Sequence, residues 1–120
     1  MANNVVETLS GLLTLDGGMA AALVDSNSGM VLGKVGSGVD LDTAGAGNTE
    51  VVKSKLKTMK ALKLNDMIED ILITLGKQYH IIRPLARKPG LFIYVVLDKA
   101  KANLAMSRIK TQEVEAELAI

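Results

Sequence analysis

The sequence predicts an α/β domain of the α+β kind, with one five-stranded sheet, antiparallel or mixed, and helices on both faces. Three observations carry this. Apolar residues recur at helical spacing in three places and fill five shorter runs of strand length, in the order helix, two strands, helix, three strands, helix. Strands grouped on either side of a helix, rather than alternating with helices, favour an antiparallel or mixed arrangement. The run from Leu91 to Leu97, "LFIYVVL", is apolar at every position, which suits a strand covered on both faces in the middle of a sheet.

Taken in order, the first helix is expected from Asn4. Val5, Val6, Leu9, Leu12 and Leu13 share a stripe there, Asn4 and Glu7 have the spacing of a capping box, and Asp16-Gly17-Gly18 ends the element. Met19 to Asp25 reads as a strand in spite of three alanines, whose small side chains let a helix pack close. Ser26 to Gly29 is a turn by composition, and Met30 to Gly36 is the second arm of a hairpin. Asp40 and Asp42 offer helix caps, but Gly45 and Gly47 weaken the first turns by ~1 kcal/mol each relative to alanine. The second helix is therefore clear only from Asn48, where Val52, Leu56 and Met59 recur. Leu64 to Met67 connects it to strands at Ile68 to Gly76, Gln78 to Leu85 and Leu91 to Leu97, the last two joined by "ARKPG". Pro84 has no N–H and must sit near its strand's end or at an unpaired position. Asp98 is read as the cap of a closing helix whose Ala102, Ala105, Met106 and Ile109 share one side and whose acidic end is solvated.

A chain of 120 residues makes one domain, 1–120, and buries roughly two-thirds of the surface its unfolded form exposes. Only Phe92, Tyr79 and Tyr94 are aromatic, so the core is aliphatic and offers no ring platform for stacked bases. The formal charge of +1 provides no global field for nucleic acid or a membrane. Without cysteine, and with His80 as its one histidine, the chain has no thiolate chemistry and no ordinary zinc site. The N-terminus reads as neither a signal peptide nor a membrane span, so the cytoplasm is the expected location.

Tests for chemistry return little. In Gly29 to Val35 three residues rather than four separate the glycines, and valine follows the lysine where a phosphate loop needs a hydroxyl. Gly45 to Glu50 lacks the third glycine of a dinucleotide fingerprint, and no serine sits in a nucleophile elbow. Glu69 and Asp70 are adjacent in a strand and point to opposite faces, while Glu113 and Glu117 lie on a helix end that reads as solvated. Strand alternation puts Tyr79, Ile81, Arg83 and Leu85 on one face and His80, Ile82 and Pro84 on the other. His80 and Arg83 therefore diverge, and the segment reads as a hairpin rather than an active site. No catalytic, cofactor-binding or metal-binding residue is assigned, and no cofactor is expected. What remains is a lysine run: Lys53, Lys57 and Lys60 at helical spacing, with Lys55 and Lys63 alongside. It is either a solvated helix face or a docking surface for an acidic partner.

The stretches "AALVDSNSGMVLGK", "VDLDTAGAGNTEVVKSKLKTM", "NDMIEDILITLGKQYHIIRPL" and "GLFIYVVLDKAKANLAMSRI" together resemble the roadblock domains, named after a dynein light chain. The resemblance runs from about Asn4 to Leu118; Gly45 and Gly47 depart from it. It implies a five-stranded antiparallel sheet with one helix on one face and two on the other, similar to profilin-like and longin folds. It also implies twofold homodimers in which the third strands pair edge to edge and the central helices lie side by side. Here that interface would use Val52, Leu56 and Met59 with Ile71, Leu72, Ile73 and Leu75. An uncharged apolar edge strand such as "ILITL" (Ile71 to Leu75) is an aggregation hazard unless another strand covers it, and self-pairing covers it in a closed way. Family members act as platforms: some bind dynein intermediate chains, others regulate or scaffold small Ras-like GTPases, including those of bacterial gliding motility. The expectation is thus a non-catalytic homodimeric module docking a Ras-like GTPase through Val51, Lys53, Lys57 and Lys60, with no nucleic acid and no membrane insertion. A structural adaptor in a motor, filament or envelope complex is the alternative, and small-molecule sensing between helix and sheet a weaker third.

Overall fold

A computed structural model describes residues 4–120; residues 1–3 of the expected domain lie outside the described part. The elements are α1 (Val5–Ser10), running into a 3-10 turn (Gly11–Thr14), β1 (Gly18–Asp25), β2 (Val31–Gly36), α2 (Leu41–Ala61), β3 (Ile71–Thr74), β4 (Gln78–Pro84), β5 (Leu91–Asp98) and α3 (Leu104–Glu117). The strands form one sheet in the order β2-β1-β5-β4-β3, and every neighbouring pair is antiparallel.

β5 is central, as its unbroken apolar run requires, and Phe92 through Leu97 are buried on both faces. On one face Val5, Leu9 and Leu12 pack with Val114 and Leu118 over Leu23, Ile81, Ile93 and Val95. On the other, Leu41 and Val52 of α2 cover Ala22, Val24, Ile82, Phe92 and Tyr94. One helix therefore lies on one face and two on the other. The β4 alternation holds: Ile81 and Leu85 join the first cluster and Ile82 the second.

Several local expectations are corrected. The Asn4 side chain does not cap α1; its amide reaches the far terminus, donating to the Glu117 carbonyl at 2.9 Å and accepting from the Ala119 N–H at 2.8 Å. α2 begins at Leu41, well before Asn48, because Asp40 caps it by accepting from the Thr43 N–H at 3.2 Å. Gly45 is no weakness there, since a Cβ on it would stand 2.8 Å from Val31 Cγ2. Glycine is what lets α2 lie against β2. Asp98 ends β5, and Asn103 instead caps α3, accepting from the Met106 N–H at 3.1 Å.

α3 also turns a different side inward. Ala102 packs on the core, but Met106 and Ile109 are half exposed and Ser107, Thr111, Val114 and Glu115 are buried. Hydroxyls can be buried here because each is satisfied within the helix: Ser107 donates to the Asn103 carbonyl and Thr111 to the Ser107 carbonyl, both at 2.8 Å. Finally, β3 is shorter than the sequence suggested, with Ile68 to Asp70 forming a lead-in and Leu75 lying past its end.

Candidate docking surface

β3 pairs with β4 in plain register, Ile71↔Ile82, Leu72↔Ile81, Ile73↔His80 and Thr74↔Tyr79, and has no strand on its other side among the described residues. Ile71 and Ile73 rest against the α2-side core, whereas Leu72 and Leu75 are exposed. The strand thus offers a free ladder of backbone donors and acceptors flanked by aliphatic side chains. Such an edge is a template for another strand.

α2 covers the face of the sheet toward which Ile71 and Ile73 turn, and packs chiefly on β1 and β2. Val52 and Met59 are buried, Leu56 is half exposed, and Val51, Lys53, Lys57 and Lys60 face solvent. The salt bridges among the described residues use Lys34, Arg83, Arg108 and Lys110, so the lysines of α2 carry no acidic partner. Between the second half of α2, residues 64–71 and the β4–β5 turn runs an open groove of about 1490 Å³, lined among others by Val51, Leu56, Met59, Leu64, Met67 and Phe92. The expected interface and partner residues therefore divide between the helix that overhangs this groove and the strand along its border.

Two polar clusters were not legible in the sequence. Under α2, His80 stands between Gln78 and Tyr94: its Nε2 is 2.8 Å from Gln78 Oε1 and its Nδ1 3.0 Å from the Tyr94 hydroxyl. The Asn48 side chain approaches the Tyr94 hydroxyl from α2, bringing the helix over the pair. Burial holds the His80 pKa below its ordinary value and pushes that of Tyr94 up. A histidine–tyrosine pair can move protons in principle, but both ring nitrogens are engaged and neither residue lines the groove. The pair serves as a strut between β4, β5 and α2.

On the opposite face Arg83 Nε donates to Glu115 Oε1, Glu115 Oε2 accepts from the Ala86 N–H at 2.9 Å, and Arg87 donates to the carbonyls of Glu115 and Leu118. This cluster fastens the end of α3 to β4 and its turn. Alternation places Arg83 on this face with Tyr79, Ile81 and Leu85, as observed, but nothing local names a partner so distant in sequence. Among the described residues, no group of His, Cys, Asp or Glu could hold a metal ion, and no helix is long and apolar enough to cross a membrane.

No protein-family model and no curated protein matches the sequence. Solved structures do match in shape. A Roadblock/LC7 domain from Streptomyces avermitilis superposes with a TM-score of 0.82 at 13% identity, over 92% of this chain and 91% of that one. MglB of Myxococcus xanthus gives 0.82 at 15% identity, over 95% and 90% of the two chains. The gliding protein MglB from Thermus thermophilus gives 0.80 at 17% identity, over 93% and 83%. The class is thereby defined: the chain has the roadblock fold, and the structures it resembles include roadblock/LC7 domains and MglB proteins.

Proposed function

We propose that this chain is a non-catalytic binding module that forms a twofold homodimer and docks a small Ras-like GTPase, which it regulates or scaffolds. The observation that carries the reading is a bare aliphatic edge, β3, together with an unneutralised lysine helix, α2, which covers the same face of the sheet and shares a groove with the residues leading into that edge. Edge-to-edge union of two β3 strands would satisfy the open ladder and close on itself. Val52, Leu56 and Met59 of α2 would form the helix seam, together with Ile71, Leu72, Ile73 and Leu75 of the strand and its extension. Val51, Lys53, Lys57 and Lys60 would meet the GTPase. The likeness to MglB supports this assignment, as does a structure of MglB in a tetrameric arrangement, which overlays at 0.81.

The test is capture of a Ras-like protein loaded with GDP or with a non-hydrolysable GTP analogue. Nucleotide-dependent capture is expected; nucleotide-indifferent capture of other proteins would instead mark a structural adaptor. Reversing Lys53 and Lys57 to glutamate should slow association about tenfold at low salt, with a smaller change in dissociation, and the effect should shrink as salt screens exposed charges. Unchanged association kinetics would leave those lysines as a solvated face.

A further inference from the structure

The net charge of +1 conceals a concentrated patch. Five of the fourteen basic residues, Lys53, Lys55, Lys57, Lys60 and Lys63, fall within eleven positions that contain no acid, leaving nine basic and thirteen acidic residues elsewhere. All five are exposed. Where this helix ends, three aliphatic side chains stand in solvent: Leu62 is 62% exposed, Leu64 52% and Met67 68%.

The tip is built rather than loose. Lys63 takes a left-handed conformation, φ 57, at a position where glycine is usual. The N–H groups of Lys63 and Leu64 close onto the carbonyls of Lys60 and Met59, both at 3.0 Å. The turn thus holds a cation between two outward leucines, immediately beyond a lysine helix. A protein docking in the groove beside α2 accounts for the lysines of the helix and reaches Leu64 and Met67, but does not reach Leu62 and Lys63, which stand outside it. Nucleic acid accounts for neither the aliphatic chains nor the absence of arginine and aromatic residues from the patch. Cations beside exposed aliphatic chains are the pattern of an element lying at a bilayer interface, its ammonium groups on anionic headgroups and its aliphatic tips below them.

We infer that the C-terminal end of α2 and the turn after it form a peripheral docking surface for an anionic lipid bilayer, with Lys57, Lys60 and Lys63 on the headgroups and Leu62, Leu64 and Met67 in the interface. The contact is shallow and crosses no hydrocarbon core. It goes beyond the GTPase reading and depends on neither that partner nor the dimer. Lys57 and Lys60 serve this surface as well as the bulk of the lysine face, and Leu64 and Met67 also line the groove beside α2, whereas Leu62 and Lys63 serve it alone.

The test is co-sedimentation of the full chain with phosphatidylcholine vesicles, with and without phosphatidylglycerol. Binding is expected only with the anionic lipid and only at low to physiological salt. Replacing Lys57, Lys60 and Lys63 by glutamine should lower partitioning roughly a hundredfold, about fivefold per cation. Replacing Leu62, Leu64 and Met67 by serine, at positions that hold no core, should lower it roughly tenfold per residue while sedimentation velocity shows an unchanged oligomeric state. Failure to bind anionic vesicles overturns the proposal. So does full binding by the serine variant, which would reduce the patch to a generic polyanion site. Loss of self-association in that variant would also overturn it, because the tip would then be a seam between copies.

Discussion

At one border of the sheet, β2 breaks its ladder: Leu23 faces Gly33 and Val24 faces Val31, so Leu32 is an extra residue without a partner. Lys34 stands on the same strand, tied to Asp42 of α2 at 2.8 Å, and the strand ends at Gly36 with φ 83. α1 presses close on one side, where a Cβ on Gly33 would meet Val5 Cγ1. At the other border, β3 has no extra residue, no charge and no glycine, and it pairs in even register with β4 alone. A bulge, a charge and covering helices are the ordinary means of keeping an edge from recruiting strands. The chain applies them to β2 and withholds them from β3. Two edges treated so differently in one small sheet are what the proposed self-pairing of β3 would explain.

The largest expected effect comes from Leu72→Pro. The Leu75 N–H donates to the Gln78 carbonyl, so by alternation the Leu72 N–H faces the open edge, and proline there removes a donor from that edge of β3. Self-association should weaken about a hundredfold, equivalent to ~3 kcal/mol from the lost donor and the acceptor left unpaired, as read by analytical ultracentrifugation. An intact dimer would place the interface elsewhere. Next comes the packing that guards β2. Gly45→Ala drives a methyl against Val31 Cγ2, a stiff side chain, and should lower unfolding free energy by ~1–2 kcal/mol. Gly47→Ala lies on the same helix but meets nothing within 4 Å, and should stabilise by ~1 kcal/mol. Denaturant melts of the two variants should move in opposite directions; equal shifts would mean that α2 does not rest on β2 as described.

A smaller effect is expected from the strut beneath α2. Burial holds His80 below its ordinary pKa of 6.5, so the unfolded chain binds the proton more readily than the folded one. Its contribution to stability is therefore complete above pH ~6.5 and is lost as pH falls from there toward the lowered folded value. Thermal melts between pH 7 and 5 should show this loss in the parent and a flatter profile in His80→Phe. Identical profiles would mean that the ring is not held neutral.

The sequence made the sheet legible because β5 is apolar throughout and β4 alternates cleanly; both signals depend only on which faces are covered. It misread α3 because burial there falls on Ser107 and Thr111, whose hydroxyls are satisfied by the helix's own carbonyls and so escape the apolar pattern. It delayed the start of α2 because the cost of a helical glycine was visible at Gly45 but the Val31 side chain requiring it was not. Asn4 read as a local cap, yet its partners lie at the other end of the chain. As for the candidate surface, the aliphatic strand and the lysines could be read from residue type and spacing. The bulge at Leu32, which gives the bare β3 edge its meaning by contrast, is a property of register that no single strand displays.

The difference between the edges is tested most directly by moving a guard. Leu72 is already exposed and leaves the core untouched when replaced, so Leu72→Lys places one charge on β3 comparable to the one Lys34 provides on β2. Sedimentation velocity should show a dimer for the parent chain, a well-folded monomer for Leu72→Lys, and an undisturbed dimer for Leu32→Lys at the opposite border. A parent chain that sediments as a monomer, or a Leu72→Lys variant that remains as associated as the parent, would contradict the account.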